Sequence, residues 1–118
     1  MLYVLLIYAD EAEWNALSEA QQAAVMREHG ELDDALRKAG KYRGCGALQQ
    51  TTTATTLRVR GGKTLVSDGP FAETKEQFGG YYVVDARDLD DAMAIAARIP
   101  TVRRGSIEVR PVAMLNEP

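Results

Sequence analysis

The sequence predicts one α+β domain of the ferredoxin-like split βαβ type, with an inserted β-hairpin. Three observations support this prediction. Strand and helix signals alternate in the order strand, helix, two or three strands, helix, strand. The dipeptide Gly61-Gly62 lies between two runs of β-branched and apolar residues, which is typical of a tight hairpin. The length of 118 residues suits one core, so we expect a single domain over residues 1–118.

The first strand is predicted over the run Met1 to Ala9, which is apolar at nearly every position. Such a run lacks alternation and is typical of a strand covered on both faces in the middle of a sheet. It is too short to span a bilayer and carries no basic leader. Cys45 is the one cysteine and cannot form an internal disulfide. We therefore expect a cytoplasmic protein that does not associate with membranes.

A long helix is predicted to follow Ser18, which forms a capping box with Gln21, and to end at Gly40. Gly30 interrupts this helix at a cost of about 1 kcal/mol relative to alanine. His29 is the one histidine of the chain and lies on the apolar stripe of the helix. Its side chain should therefore point inward.

Further strands are predicted in the middle and at the end of the chain. The segments "YRGCGALQQ" and "TTLRVR" are strand-like, and "RVRGGKTLV" predicts a projecting hairpin whose basic residues are solvated. Another strand should run from about Gly80 to Ala86. The last strand should run from Ser106 to Leu115, where Pro111 removes one ladder hydrogen bond.

A second helix should begin after Asp88, its N-cap, and continue through Arg98. The residues expected on its inner side are Leu89, Ala92, Met93 and Ala96. Two helices cover only one face of the predicted sheet. First-strand residues such as Tyr3, Leu5 and Ile7 would then lie exposed on the opposite face. Because an open apolar face is unfavourable in water, we expect a homodimer that closes face to face.

The net charge disfavours one class of function. The net charge of −3 argues against a general nucleic-acid binder, which carries a basic face that releases counterions from phosphates. The charge is nevertheless uneven, because residues 10–39 are strongly acidic and no acidic residue lies between Gly40 and Ser67. We interpret this asymmetry as two solvated faces, and a partner or anion site is the alternative.

The stretch "SDGPFAETKEQFGGYYVVDA" raises the main functional question. Asp68-Gly69-Pro70 is a typical turn sequence and could have only a structural role. A turn at a strand end can also hold functional groups rigidly. Phe71 could fill a hydrophobic pocket or stack on a ligand. Residues 73–76 could form a solvated turn of helix or the lip of a polar ligand site. Gly79-Gly80 is expected to permit a close backbone approach.

The segments "MLYVLLIYADEAEW", "DGPFAETKEQFGGYYVVDARDLDDAMAIAARIP" and "GSIEVRPV" together resemble the YCII-related proteins of the DGPF type. The resemblance implies a ferredoxin-like α+β fold and dimers of the dimeric α/β barrel type. It also implies a possible link to extracytoplasmic-type sigma factors, because such proteins are often encoded near them. Related YCII proteins carry a histidine and an aspartate that are proposed to perform acid/base work.

With that resemblance, His29 and Asp68 become the candidate catalytic residues. A carboxylate bonded to the imidazole would fix its tautomer and raise the pKa of His29 above its usual value of about 6.5. The candidate ligand-binding residues are Phe71, Glu73, Lys75 and Arg110. Arg110 could hold a carboxylate, although a simple ion pair with Glu108 on the same strand face is the favoured interpretation. No metal-ligand spacing, phosphate loop or dinucleotide fingerprint occurs, so we expect neither metal nor cofactor.

Two functions remain open at this point. The first is a dimeric small-molecule-binding protein or small enzyme that uses a His/Asp pocket on an unidentified polar organic substrate. The second is a non-catalytic accessory module associated with an extracytoplasmic-type sigma factor. An approach of His29 to Asp68 inside a cavity would favour the first function. We expect no nucleic-acid partner, because the sheet faces are aliphatic and lack an aromatic platform.

Overall fold

A computed structural model describes residues 1–115 and confirms the α+β class. The strands are β1 (Leu2–Ala9), β2 (Tyr42–Ala47), β3 (Thr55–Arg60), β4 (Lys63–Asp68), β5 (Gln77–Asp85) and β6 (Ser106–Pro111). The helices are α1 (Glu11–Ala16), α2 (Glu19–Lys38) and α3 (Leu89–Ala96), with 3₁₀ turns at Thr51–Thr53 and Pro100–Arg103. Strands β2-β5-β1-β6 form an antiparallel sheet, β3 and β4 form a separate hairpin, and neither sheet closes into a barrel.

Strand β1 lies in the middle of the larger sheet, as its continuous apolar run predicted. It pairs with β5 on one side and with β6 on the other. The core forms where α2 and α3 cover one face of this sheet, and four of its side chains are almost fully inaccessible to solvent. These are Leu5, Leu36, Val84 and Ile99. Among residues 1–115, no helix is both long enough and apolar enough to cross a membrane.

The prediction of which β1 residues face away from the helices was wrong. Tyr3 and Leu5 are 3% and 0% exposed and belong to the core, and Ile7 packs against it. The alternate residues of β1, which include Val4 and Leu6, lie on the opposite face. Both sets are apolar, so alternation separates the two faces but does not identify the one that the helices cover. We call the side of the larger sheet that carries Leu2, Val4, Leu6 and Tyr8 the uncovered face.

Helix α2 begins where its capping box predicted, with Ser18 and Gln21 exchanging hydrogen bonds. Helix α3 ends at Ala96 rather than Arg98, and the prediction of its inner side is correct for Ala92 and Ala96 and wrong for Leu89 and Met93. Leu89 and Met93 are 49% and 46% exposed, whereas Ala92, Ile95, Ala96 and Ile99 are buried. The sequence offers two overlapping apolar stripes here. Asp91 is buried beside the second stripe, where it contacts Lys41 and the Arg87 amide.

The hairpin of β3 and β4, residues 55–68, is called the arm below. Gly61 and Gly62 have φ values of 57° and 75°, which confirms the predicted two-residue turn with positive φ at both positions. Every residue of β4 is exposed. The radius of gyration is 16.2 Å, whereas a compact chain of this length has one of about 13.5 Å. The arm therefore projects from the body of the protein.

Other boundaries differ modestly from the predictions. Strand β5 begins at Gln77, and the close approach expected near Gly80 is present, since a Cβ there would lie 2.8 Å from the Gly46 carbonyl oxygen. Strand β6 ends at Pro111 rather than Leu115. Residues 73–76 form an irregular, mostly exposed loop rather than a turn of helix.

The buried Asp91 predicts a pH dependence of stability. Its carboxylate accepts a hydrogen bond from the Arg87 backbone amide and two from the Lys41 ammonium, and these contacts lower the pKa of Asp91 to about 2. The unfolded value is about 3.9, so the stabilisation is complete above that pH and is lost as the pH falls through the folded value.

We therefore expect Asp91→Asn to be less stable than the wild type at pH 7, with a difference that shrinks as the pH falls from about 4 toward about 2. Urea unfolding across this pH range measures the difference in the free energy of unfolding between the variant and the wild type. Asp90→Asn, at an exposed position of the same helix, is the matched control and should behave as the wild type. A deficit of constant size at every pH would contradict the assignment.

Candidate functional site

A groove of about 740 Å³ lies between the base of the arm, the loop that follows β4, and the ends of β1 and β5. We call it the DGPF groove. Its walls include the aromatic rings of Tyr8, Phe71 and Phe78, the Leu57 side chain of the arm, and much of the segment from residue 48 to residue 56. We call residues 69–76, which connect β4 to β5, the DGPF loop. This loop forms one side of the cavity through Pro70, Phe71, Ala72 and Thr74.

Hydrogen bonds to β3 hold the DGPF loop in place. The Gly69 amide donates to the Ala54 carbonyl at 2.8 Å, and the Thr56 hydroxyl donates to the Gly69 carbonyl at 2.8 Å. Gly69 has φ of 98°, a value that L side chains rarely adopt, so the turn requires glycine there. The Arg58 guanidinium donates to the Phe71 carbonyl at 3.2 Å. The residues that form the turn therefore also form the cavity wall.

The floor of the groove is built from the facing ends of β1 and β5. The rings of Tyr8 and Phe78 are tilted with centroids 5.5 Å apart. The Gln77 side chain donates to the Thr74 carbonyl at 2.6 Å and accepts from the Glu11 amide at 2.9 Å. Gln77 thereby joins the DGPF loop to the first turn of α1.

The opposite wall depends on α1, which the sequence analysis did not predict. The two carboxylate oxygens of Glu11 accept hydrogen bonds of 2.8 Å from the amide and the hydroxyl of Thr51. Asn15 and Gln50 exchange hydrogen bonds of 2.7 and 3.2 Å between their side-chain amides. These contacts fix the 3₁₀ turn that lines the groove.

A smaller cavity of about 250 Å³ adjoins the groove and shares Leu48, Gln49, Gln50 and Gln77 with it. Its other walls include the indole of Trp14, with the Arg104 guanidinium carbon 5.7 Å from the ring centroid. Asp10, Glu11 and Glu13 also line it. Charged side chains are therefore concentrated in this smaller cavity.

The chemistry of the DGPF groove is neutral. Its described lining contains side-chain amides, threonine hydroxyls, aromatic rings and aliphatic groups, and none of these residues is Asp, Glu, Lys, Arg, His or Cys. A mostly apolar cavity with a few convergent polar groups is typical of small-molecule sites. The arrangement can hold an uncharged polar molecule through hydrogen bonds and ring contacts.

His29 does not form the expected pair with Asp68. Its Nδ1 atom shares a hydrogen bond of 3.0 Å with the Tyr82 hydroxyl, and the two rings are stacked with an interplanar angle of 12°. Asp68 instead ends β4, where it pairs with Thr55 in the arm. Neither His29 nor Asp68 lines the groove or the smaller cavity. Local sequence could not predict this result, because the partner of His29 lies 53 residues away.

The electrostatics of His29 also differ from the expectation. Burial lowers the pKa of His29, and the nearby carboxylates of Asp33 and Glu28 oppose that shift without reversing it. Burial and then Asp33 raise the pKa of the Tyr82 phenol. The Oδ1 atom of Asp33 is buried and has no hydrogen-bond partner among the described residues. The shift favours the neutral form of His29, which lies in a polar cluster with the half-buried Asp33 and the buried Tyr82.

Asp33 and Tyr82 were not predicted as site residues, although both carry a signal. Asp33 follows His29 by four residues and so lies on the same side of α2. Tyr82 pairs with the buried Leu5 and therefore faces the helices. The first signal was available from the sequence alone, whereas the second requires the strand register.

The other predicted site residues are dispersed. Glu73 and Lys75 are exposed and line neither cavity. Phe71 is 79% exposed, so it lines the groove without filling a hydrophobic pocket. Arg110 donates to the Glu108 carboxylate on the uncovered face, in agreement with the simple ion pair. Residues 1–115 contain no cluster of His, Cys, Asp and Glu suited to a metal ion.

Two comparisons with known proteins cover nearly the whole chain. The model of the YCII-related domain matches residues 1–116. An uncharacterized protein of Rhizobium meliloti (strain 1021) is 42% identical over 116 residues, which is 97% of this chain and 94% of that protein.

The environment of His29 predicts its titration. Because burial outweighs the nearby carboxylates, we expect the pKa of His29 to lie below about 6.5, and Asp33→Asn to lower it further. Asp68→Asn should leave the curve unchanged. Proton NMR of this single histidine measures its pKa in the wild type and in both variants. A pKa above the usual value would contradict the dominance of burial, and a shift caused by Asp68→Asn would restore the His29–Asp68 pair.

Proposed function

The chain belongs to the YCII-related family, and we propose that it binds a small, uncharged polar organic molecule in the DGPF groove. The observation that carries the proposal is the groove itself. Its volume of about 740 Å³ falls within the range of roughly 300–1,000 Å³ that is common for ligand sites. Hydrogen bonds on both sides hold its walls in place, so the site is formed before a ligand arrives.

Binding is favoured over catalysis by the positions of the titratable groups. A general acid or base must lie within hydrogen-bond reach of the reacting atom. The imidazole of His29 contacts Tyr82 and lies outside the groove, so the hypothesis of a His29–Asp68 pocket is not retained. Charged side chains such as Glu11 and Arg104 line the adjoining cavity rather than the groove. Glu11 already accepts hydrogen bonds at both oxygens.

We propose in addition that the protein is a homodimer with a ferredoxin-like, dimeric α/β barrel arrangement. The sheet order β2-β5-β1-β6, with α2 and α3 on one face, supports it. The uncovered face presents apolar side chains of β1 beside Tyr81 and Val83 of β5. Packing against a second copy would remove this surface from water. A link to a sigma factor gains no support from these contacts and is not proposed.

Three isosteric probes test the neutral character of the groove. Benzamide, benzoate and benzamidine share one ring and differ in charge. We expect benzamide to shift the amide NMR signals of groove residues and to bind more tightly than either ion, because an ion would lose hydration without gaining a counter-charge. Equal or tighter binding of benzoate or benzamidine at the groove would contradict the proposal.

Variants locate the bound probe. Phe71→Ala should raise the Kd for benzamide roughly fivefold, since an aromatic contact contributes about 1 kcal/mol. Leu65→Ala is the matched control, because Leu65 is exposed on the opposite face of the arm from Leu57 and lies outside the groove. An unchanged Kd for Phe71→Ala would place the probe elsewhere.

A further inference from the structure

One face of the arm is apolar and open to solvent. Leu57 and Val66 are directly paired across β3 and β4, and with Val59 they lie on the same face. Their exposed fractions are 63%, 65% and 59%, respectively. The opposite face carries Arg58 and Leu65. A surface of this kind is unusual for a segment that works in water alone.

The arm also lacks neighbouring strands. Within the described chain β3 and β4 pair only with each other. An isolated two-stranded hairpin is marginally stable in water and gains stability from packing on a further surface. The large radius of gyration indicates that this chain itself supplies little of that surface. A further surface packed on the arm would therefore stabilise it.

The apolar face of the arm continues into the DGPF groove and onto the uncovered face. Leu57 belongs to the arm face and also lines the groove. Tyr8 lines the groove and lies on the uncovered face with Leu6. A molecule that covers the arm and the uncovered face together would also cover the opening of the groove between them.

We propose that the arm of each copy packs through Leu57, Val59 and Val66 against a second copy of this chain, and that this contact closes the DGPF groove. The inference rests on the groove and the dimer of the proposed function and adds the element that connects them. Each groove is then completed by the partner.

The available area supports a second copy as the occupant. Six residues per strand make the arm about 20 Å long and two strands make it about 10 Å wide, which gives roughly 200 Å². The uncovered face of four strands adds roughly 400–500 Å². The sum approaches the roughly 800 Å² per partner of a standard stable interface. The arm alone would be insufficient.

The charges of the arm leave its apolar face free for this contact. Arg58, Arg60 and Lys63 lie on the face opposite Leu57, Val59 and Val66. Packing of the apolar face therefore buries none of these three cations.

Single substitutions on the two faces of the arm test the proposal. We expect Val59→Lys and Val66→Lys each to raise the dimer Kd at least tenfold in sedimentation equilibrium. Leu65→Lys, on the opposite face, is the control and should stay within twofold of the wild type. All three positions are exposed, so far-UV circular dichroism should show an unchanged fold.

Benzamide binding separates this inference from the proposed function. If the dimer closes the groove, Val59→Lys should also weaken benzamide binding, although Val59 does not line the groove. Benzamide affinity that survives loss of the dimer would overturn closure while leaving the groove as a site. A monomeric wild type, or a dimer unaffected by Val59→Lys and Val66→Lys, would overturn the role of the arm.

Discussion

Two helices can cover only one face of a four-stranded sheet, and the rest of this structure follows from that constraint. The central strand is apolar on both faces, with Leu5 completely buried beneath the helices and Leu6 on the uncovered side. Burial of the first set stabilises the fold of the single chain. The second set leaves apolar surface in contact with water, which favours association.

The candidate site lies at the end of that uncovered face. Tyr8 extends the face into the groove, and the DGPF loop closes the opposite side because Gly69 permits a turn that Thr56 and Ala54 hold by hydrogen bonds. Glu11 anchors the remaining wall through Thr51. A site made from neutral amides, hydroxyls and rings is suited to retaining a ligand, and the second copy that we propose would exclude water from it.

Features with local causes could be predicted from the sequence. The capping box of Ser18 and the turn at Gly61-Gly62 depend on neighbouring residues, and both were correct. The continuous apolar run predicted the central position of β1. The side of β1 that meets the helices was predicted wrongly, because a period of two is unchanged when the faces are exchanged. The predicted partner of His29 was also wrong. Tyr82 is placed beside His29 by the register of β5 on β1, which the sequence does not show.

Hydrogen exchange of the arm amides at two protein concentrations tests the central claim most directly, namely that a second copy completes the arm and the groove. An isolated hairpin is only marginally stable, so its amides exchange quickly unless another surface covers it. The account predicts that protection of residues 55–68 rises between about 1 μM and about 200 μM protein, with the core of β1 and β5 unchanged. Interfaces of this size have Kd values from micromolar to picomolar, and a dimer at the micromolar end dissociates over this range. Protection of the arm that stays low and independent of concentration would contradict it.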